Sequence, residues 1–248
     1  MQSEPARYRV GMDERWKLRD LYDFPHAFIQ VYAFVYCFDS DLPAYDAERI
    51  NYALQEYPWK GGYSYVNIYT VLENQVNVRH RPLVAEIRYA SPGYMDLLLH
   101  IAPALKIGGA VMSLIGMTVT AAKAYDQITK IFAAVSLRRR EKRVLELKLT
   151  LQEVQELTKL SKELAKAIKF EGFELLAERT KSTEVASKLL ASHYRRLKIL
   201  AGFVREGKAQ LPSSLPLPLP LPGPVPTPVA EPPPLKKTRK QTRKPTGE

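Results

Sequence analysis

The sequence predicts an α+β fold: a small strand-and-helix unit, then a long helical region with a coiled-coil-like pattern, then a disordered proline-rich basic tail. Three observations carry this reading. "LVAEIRY" (83–89) alternates apolar and charged residues as a strand does, and beyond it apolar residues recur at spacings of three and four as far as about residue 208. Finally, 11 of the 19 prolines fall within 211–234. Since 46% of the 248 residues are hydrophobic, the chain can build a core. The expected organisation is an α+β unit at 12–99, an apolar helix at 100–137, a charged helical hairpin or coiled coil at 138–208, and the tail at 209–248.

In the first segment, "PHAFIQVYAFVYCF" (25–38) opens on a proline suited to a first helical position. It spaces Phe28, Val31, Tyr32, Val35 and Phe38 by three and four, which predicts a buried helix. "GGYSYVNIYTVL" (61–72) predicts a strand after a Gly-Gly turn, with Tyr63, Tyr65, Tyr69 and Val71 on one face. The 83–89 strand is expected to be half-buried, with Leu83, Ala85, Ile87 and Tyr89 inward and Glu86 and Arg88 outward.

At "ASPGYMDLLL" (90–99) the strand is expected to hand over to a helix. Ser91 suits an N-cap, Pro92 a first helical position, and Asp96 the positive end of the helix dipole. Gly93 lets the backbone pass close to a neighbour. Ser91, Pro92 and Gly93 are therefore read as a structural junction rather than an anion site or a nucleophile turn.

The apolar helix follows. Residues 107–122 carry no charge and are bounded by Lys106 and Lys123, a few residues short of a membrane span. Gly109, Ser113, Gly116, Thr120 and Ala124 recur at helical spacing and predict a helix-packing face. Packing inside a core is the leading reading, with membrane insertion and self-association as alternatives.

In the third segment, Leu147, Leu151, Val154, Leu157, Leu160, Leu164 and Ile168 step at an average of 3.5, the period of a coiled-coil seam. Leu189, His193, Leu197, Leu200 and Val204 continue the pattern. Gly172 or the polar "ERTKST" (178–183) could close a hairpin between the two runs.

The formal charge of +11 is lopsided. Residues 1–137 hold 13 Lys+Arg against 14 Asp+Glu, residues 138–208 hold 18 against 10, and the last fourteen hold 6 against 1. Attraction to nucleic acid or an anionic membrane would therefore lie in the second half. The candidate contacts are Arg138, Arg139, Arg140, Arg195, Arg196 and Lys198, joined by Lys236, Lys237, Arg239, Lys240, Arg243 and Lys244 in the tail. The "LPLPLPLPGPVPTP" alternation (215–228) that precedes them suits a polyproline II strut.

Catalytic motifs are missing. His26, His80, His100 and His193 show no metal-ligand spacing, and no phosphate loop or dinucleotide fingerprint is present. "DSD" (39–41) with Asp46 reads as a solvated turn rather than a calcium loop. The single Cys37 excludes an internal disulfide and points to a reducing compartment, and the charged N-terminus is unlike a signal peptide. No cofactor and no small-molecule substrate is implied.

"LRDLYDFPHAFIQVYAFVYCF" followed by "VAEIRYASPGYMDLLL" resembles a group of uncharacterised bacterial proteins over roughly residues 15–145. Tyr89, Ser91, Pro92 and Gly93 carry its short motif. The resemblance implies a small α+β unit with an appended helical region and brings no activity or catalytic residues. The expectation is a cytoplasmic, non-enzymatic interaction or assembly protein, possessing a protein partner or self-association and working through the small-residue helix and the coiled-coil seam. The alternatives are a membrane-anchored protein using 94–137, and a non-specific nucleic-acid binder using the basic half.

Overall fold

A helix that is apolar on every side must sit in the middle of its domain, and α1 (Asp20–Cys37) does. The computed structural model describes residues 5–13, 15–56, 67–90, 92–142 and 148–214. Along one side of α1, Phe24, Phe28, Tyr32 and Tyr36 form a ladder with ring centroids 6.1, 6.4 and 6.2 Å apart, one ring per helical turn. Another side carries Phe34 and Phe38, 5.0 Å apart. The helix begins five residues before Pro25: the Asp20 carboxylate accepts from the Lys17 N–H at 2.8 Å, and Asp20 and Asp23 place negative charge in the first turn.

The structure is α+β and mostly helical, with eight α-helices and a four-stranded antiparallel sheet among the described residues. Strand β1 (Ala6–Met12) alternates Tyr8, Val10 and Met12 inward with Arg7 and Arg9 outward. β2 (Leu83–Arg88) and β3 (Gly93–Leu99) form a hairpin, and the sheet order is β2-β3-β1-β4, where β4 is Ala209–Gln210. Tyr8 meets Phe28 of α1 at 6.0 Å and thereby docks the sheet on the ladder.

The junction at 90–99 differs from expectation. Residues 93–99 are a strand, and the next helix waits until Ile101. Over this block Met95, Leu97 and Leu99 face the core while Tyr94 and Leu98 are partly exposed, a period of two. Asp96 is therefore a strand residue rather than a helix-dipole partner. Pro92 lies in the hairpin connection, and Ser91 lies outside the described residues. Gly93 does permit close approach, because a Cβ there would stand 2.7 and 2.8 Å from the carbonyl oxygens of Arg88 and Ala90.

The strand expected at 61–72 also changes: α3 spans Ile68–Gln75, capped by the Asn67 side chain, which accepts from Tyr69 N–H at 3.2 Å. Tyr63 and Tyr65 lie outside the described residues. Between α1 and α3 runs α2 (Ala44–Glu56).

The expected apolar helix is two helices. α4 (Ile101–Gly116) and α5 (Thr118–Glu141) meet at Met117 with a bend of 93°. Thr118 Oγ1 donates back to the Leu114 and Ile115 carbonyls at 2.9 and 3.0 Å, satisfying backbone acceptors at the end of α4.

α6 (Leu151–Ala167) starts with a reciprocal capping box between Thr150 and Glu153. It packs against α5 and against α8 (Thr183–Arg205), with the short α7 (Phe173–Thr180) in between. Leu157, Leu160, Leu164 and Ile168 are buried by these helices of the same chain, while Leu151 is exposed and Leu147 lies outside the described residues. The 3.5 period thus marks a core-facing stripe, and no coiled coil is formed among the described residues. α7 fills the place of the expected hairpin turn.

Met1–Leu215 make one compact unit, and segments 12–99, 100–137 and 138–208 all contribute to its core. The tail, Pro216–Glu248, is a second unit outside the described residues.

Candidate functional site

Three features offer chemistry or surface: the bare edge of the sheet, the knee between α4 and α5, and the middle turn of α8.

The sheet edge is the most exposed apolar element. All six residues of β2 are exposed, including the apolar Leu83, Val84 and Ile87, with Tyr89 just beyond. The expected half-buried strand is instead exposed at every position, and among the described residues no helix packs closely on either face of β2. Its free edge presents unpaired backbone groups, as edge strands do. A register shift between Val84 and Glu86 puts Val84 and Ile87 opposite the core residues Leu97 and Met95, and Glu86 and Arg88 opposite Asp96 and Tyr94.

Behind this edge the sheet is clamped. Asp96, with a fully buried side chain, accepts from Arg9 Nε at 2.7 Å, Arg9 Nη2 at 2.8 Å and Arg7 Nη1 at 3.0 Å. The hydrogen-bonded Arg9 guanidinium holds this carboxyl below the usual carboxylate range. Arg9 also lies 3.9 Å above the Tyr94 ring, and the Tyr94 hydroxyl donates to Glu86 at 2.8 Å. A rigid network therefore supports β2 from its paired side.

The small-residue stripe does not form an internal packing face. Nothing lies within 4 Å of a Cβ placed on Gly109 or Gly116. The bend at Met117 turns the stripe's two halves apart: Gly116 and Thr120 are exposed beside Met112, Met117 and Val119, Ser113 donates to the Ala167 carbonyl at 3.0 Å, and only Ala124 is in the core. Within α4 the glycine that needs to be small is Gly108, where a Cβ would stand 2.1 Å from the Pro212 carbonyl oxygen. No single helix among the described residues is long and apolar enough to cross a membrane, while the bent α4–α5 pair passes on length and composition together.

The basic residues are mostly engaged. Arg138 pairs with Glu153, and Arg139 with Glu184 at 2.9 Å. Arg196 donates to Gln30 Oε1 at 2.6 Å and to Ser192 Oγ at 3.0 Å, and stacks 3.8 Å over Tyr69. Gln30 in turn contacts His26 Nε2 at 2.9 Å. Arg195 and Arg196 line a cleft of about 510 Å³ together with Arg19 and His26, whereas Arg140 and Lys198 are exposed on the surface. The tail's Lys236, Lys237, Arg239, Lys240, Arg243 and Lys244 lie outside the described residues.

The same turn of α8 presents His193 on its other side, to a cavity of about 390 Å³. His193 is 1% exposed and stacked 4.1 Å from Phe34, and its Nδ1 has no hydrogen-bond partner. Burial, reinforced by nearby Arg196, pushes it down to about 3, so the ring is neutral at physiological pH.

Two histidines that look unrelated in the sequence meet. His80 and His100 stack at 4.8 Å, Tyr36 OH lies 3.0 Å from His80 Nδ1, and Tyr32 OH donates to the His80 carbonyl at 2.7 Å. This cluster ties the end of the ladder to both flanks of the β2–β3 hairpin. Buried Cys37 nearby is pushed up to about 12 by desolvation, so its thiol stays protonated and unreactive. Among the described residues no three His, Cys, Asp or Glu gather as a metal site; Asp39 pairs with Lys106 at 2.7 Å and Asp46 with Arg49 at 3.1 Å.

Comparison with protein-family models, with curated proteins and with solved structures finds no match to this chain.

Proposed function

We propose that this chain is a non-enzymatic assembly protein that pairs with a second copy of itself through the open edge of β2. The observation that carries the reading is an apolar strand left bare along its whole length on a sheet that is otherwise rigidly held. Such an edge is a template for another strand.

The sequence of β2 favours a second copy as the occupant. In a symmetric antiparallel pair, opposed residues share a face, so the two-fold axis must lie between one residue and its own copy on the partner strand. An axis at Glu86 would oppose two glutamates, and an axis at Arg88 two arginines, both destabilising. With the axis at Ile87, Glu86 faces the partner's Arg88 twice over, and Ile87 meets its own copy. The seam expected to do this work is occupied inside the core. The exposed knee at Met112, Met117 and Val119 supports a second reading, contact with an apolar partner or bilayer surface.

Symmetry makes the test direct. Because Cys37 is buried and Ile87 is about half exposed, Ile87→Cys in the full chain should form an intermolecular disulfide on mild oxidation, where Leu83→Cys should not. Glu86→Arg should dissociate the dimer seen by light scattering, and adding Arg88→Glu should restore it. A chain that stays monomeric at high concentration, or equal crosslinking at 83 and 87, would refute the pairing.

A further inference from the structure

The cavity beside His193 is lined by five parts of the chain: the end of α1, the middle of α4, the 168–172 connection, α7 and α8. Val35, Phe38, Ala110, Ile168 and Phe170 make its wall apolar and partly aromatic. At its rim Lys106 is neutralised by Asp39, Glu174 by Lys162 at 2.8 Å, and the exposed Lys169 and Glu171 carry opposite charges. The volume of about 390 Å³ falls at the small end of the range of roughly 300 to 1,000 Å³ usual for small-molecule sites.

Two observations argue that the space is built to hold something. First, a buried polar group without a partner costs stability unless a ligand or water satisfies it, and the His193 imidazole, which lines the cavity, has no hydrogen-bond partner among the described residues. Second, Gly109, in the middle of a helix where glycine is unfavourable, lines this cavity, and nothing occupies the space its missing Cβ would take. Packing gives no reason for a glycine there; keeping the cavity open does.

We infer that this cavity is a binding site for a small neutral aromatic compound bearing one hydroxyl group, with His193 as its polar anchor. The aromatic ring matches the walls of Phe38 and Phe170. A hydroxyl can donate or accept and so satisfies a ring nitrogen in either tautomer of a neutral imidazole. The charges at the cavity, Lys106 with Asp39, Glu174 with Lys162, and the exposed Lys169 and Glu171, sum to zero, so a charged ligand would lose its hydration without a buried counter-ion in return. This site is independent of the β2 edge.

The probes are p-cresol, toluene and benzoate, titrated calorimetrically into the full chain. p-Cresol should bind saturably at one site, toluene about tenfold more weakly for loss of one buried hydrogen bond, and benzoate not measurably. In His193→Phe, which keeps an aromatic ring against Phe34, p-cresol and toluene should bind alike. Gly109→Leu should fill the cavity and abolish p-cresol binding with an unchanged circular dichroism spectrum. Because either variant could fold poorly, the wild-type chain supplies its own readout: p-cresol should shift the His193 ring-nitrogen resonances and leave those of His26 in place. The inference falls if wild type shows no saturable p-cresol binding, if benzoate binds as well as p-cresol, or if the His193 resonances do not move. A folded Gly109→Leu that still binds p-cresol, or a folded His193→Phe that keeps the tenfold preference, would overturn it equally.

Discussion

β2 and β3 are neighbours in one hairpin, of six and seven residues, and both are rich in apolar side chains. One is exposed throughout and the other is almost wholly buried. The difference lies in what surrounds them. β3 has β1 and β2 on its two edges, core residues under one face, and on the other face Asp96 held between Arg7 and Arg9. β2 has a partner on one edge alone. Composition therefore says that a segment can be covered, while topology decides whether it is. The same contrast recurs between adjacent residues elsewhere in the molecule, and it orders the expected effects of substitution.

The largest effect should come from uncovering the charge inside the clamp. Arg7→Leu with Arg9→Leu leaves the Asp96 carboxylate buried without a counter-ion, at a cost of about 3 to 5 kcal/mol, read as a lower urea midpoint. Equivalent loss of charge on β2, in Arg88→Leu, should leave the midpoint nearly unchanged. Equal losses would erase the distinction between the strands.

How far the sequence discloses this arrangement depends on whether the relevant physics is local. α1 is legible because its apolar spacing is dense and continuous, and Phe28, Val31, Tyr32, Val35 and Phe38 are all buried as expected. The α6 stripe is legible as an apolar face, but whether it meets another chain or its own is a long-range fact that a 3.5 period leaves open. The junction at 90–99 misleads because serine, proline and glycine serve a hairpin connection as well as a helix start. That misreading hides the histidine cluster, since His80 lies three residues before β2 and His100 directly follows β3. Once the two strands are paired, the histidines must be neighbours. The α4–α5 bend carries no proline, which is why one long helix was expected there. The His193 cavity has no local signature except a histidine on the apolar stripe of α8.

A covered polar group of a second kind gives the next effect. His193 titrates at about 3 in the folded chain against an ordinary 6.5. Its contribution to stability is complete above pH 6.5 and is lost as the pH falls toward 3, because the unfolded chain binds the proton first. Between pH 6.5 and 4.5 this amounts to about 2 to 3 kcal/mol, measurable by urea titration at each pH. His100, lowered in the same direction by desolvation, adds to the slope. His193→Phe should remove most of the slope. A wild-type slope in the His193 variant would show that the ring is not desolvated as its position requires.

The smallest effect places covered and uncovered sites one residue apart. Gly108 and Gly109 share a helix, a composition and a local propensity, so any difference between them is purely tertiary. At Gly108 a Cβ would collide with the Pro212 carbonyl, and backbone cannot move aside as a flexible side chain can. Gly108→Ala should therefore cost roughly 1 to 3 kcal/mol, the usual range for overpacking. At Gly109 nothing opposes the added methyl group, and alanine is the better helix former by about 1 kcal/mol. Gly109→Ala should accordingly raise the thermal midpoint slightly while Gly108→Ala lowers it. If both variants move the midpoint in the same direction, the packing of residues 211–213 against α4 is not what distinguishes them.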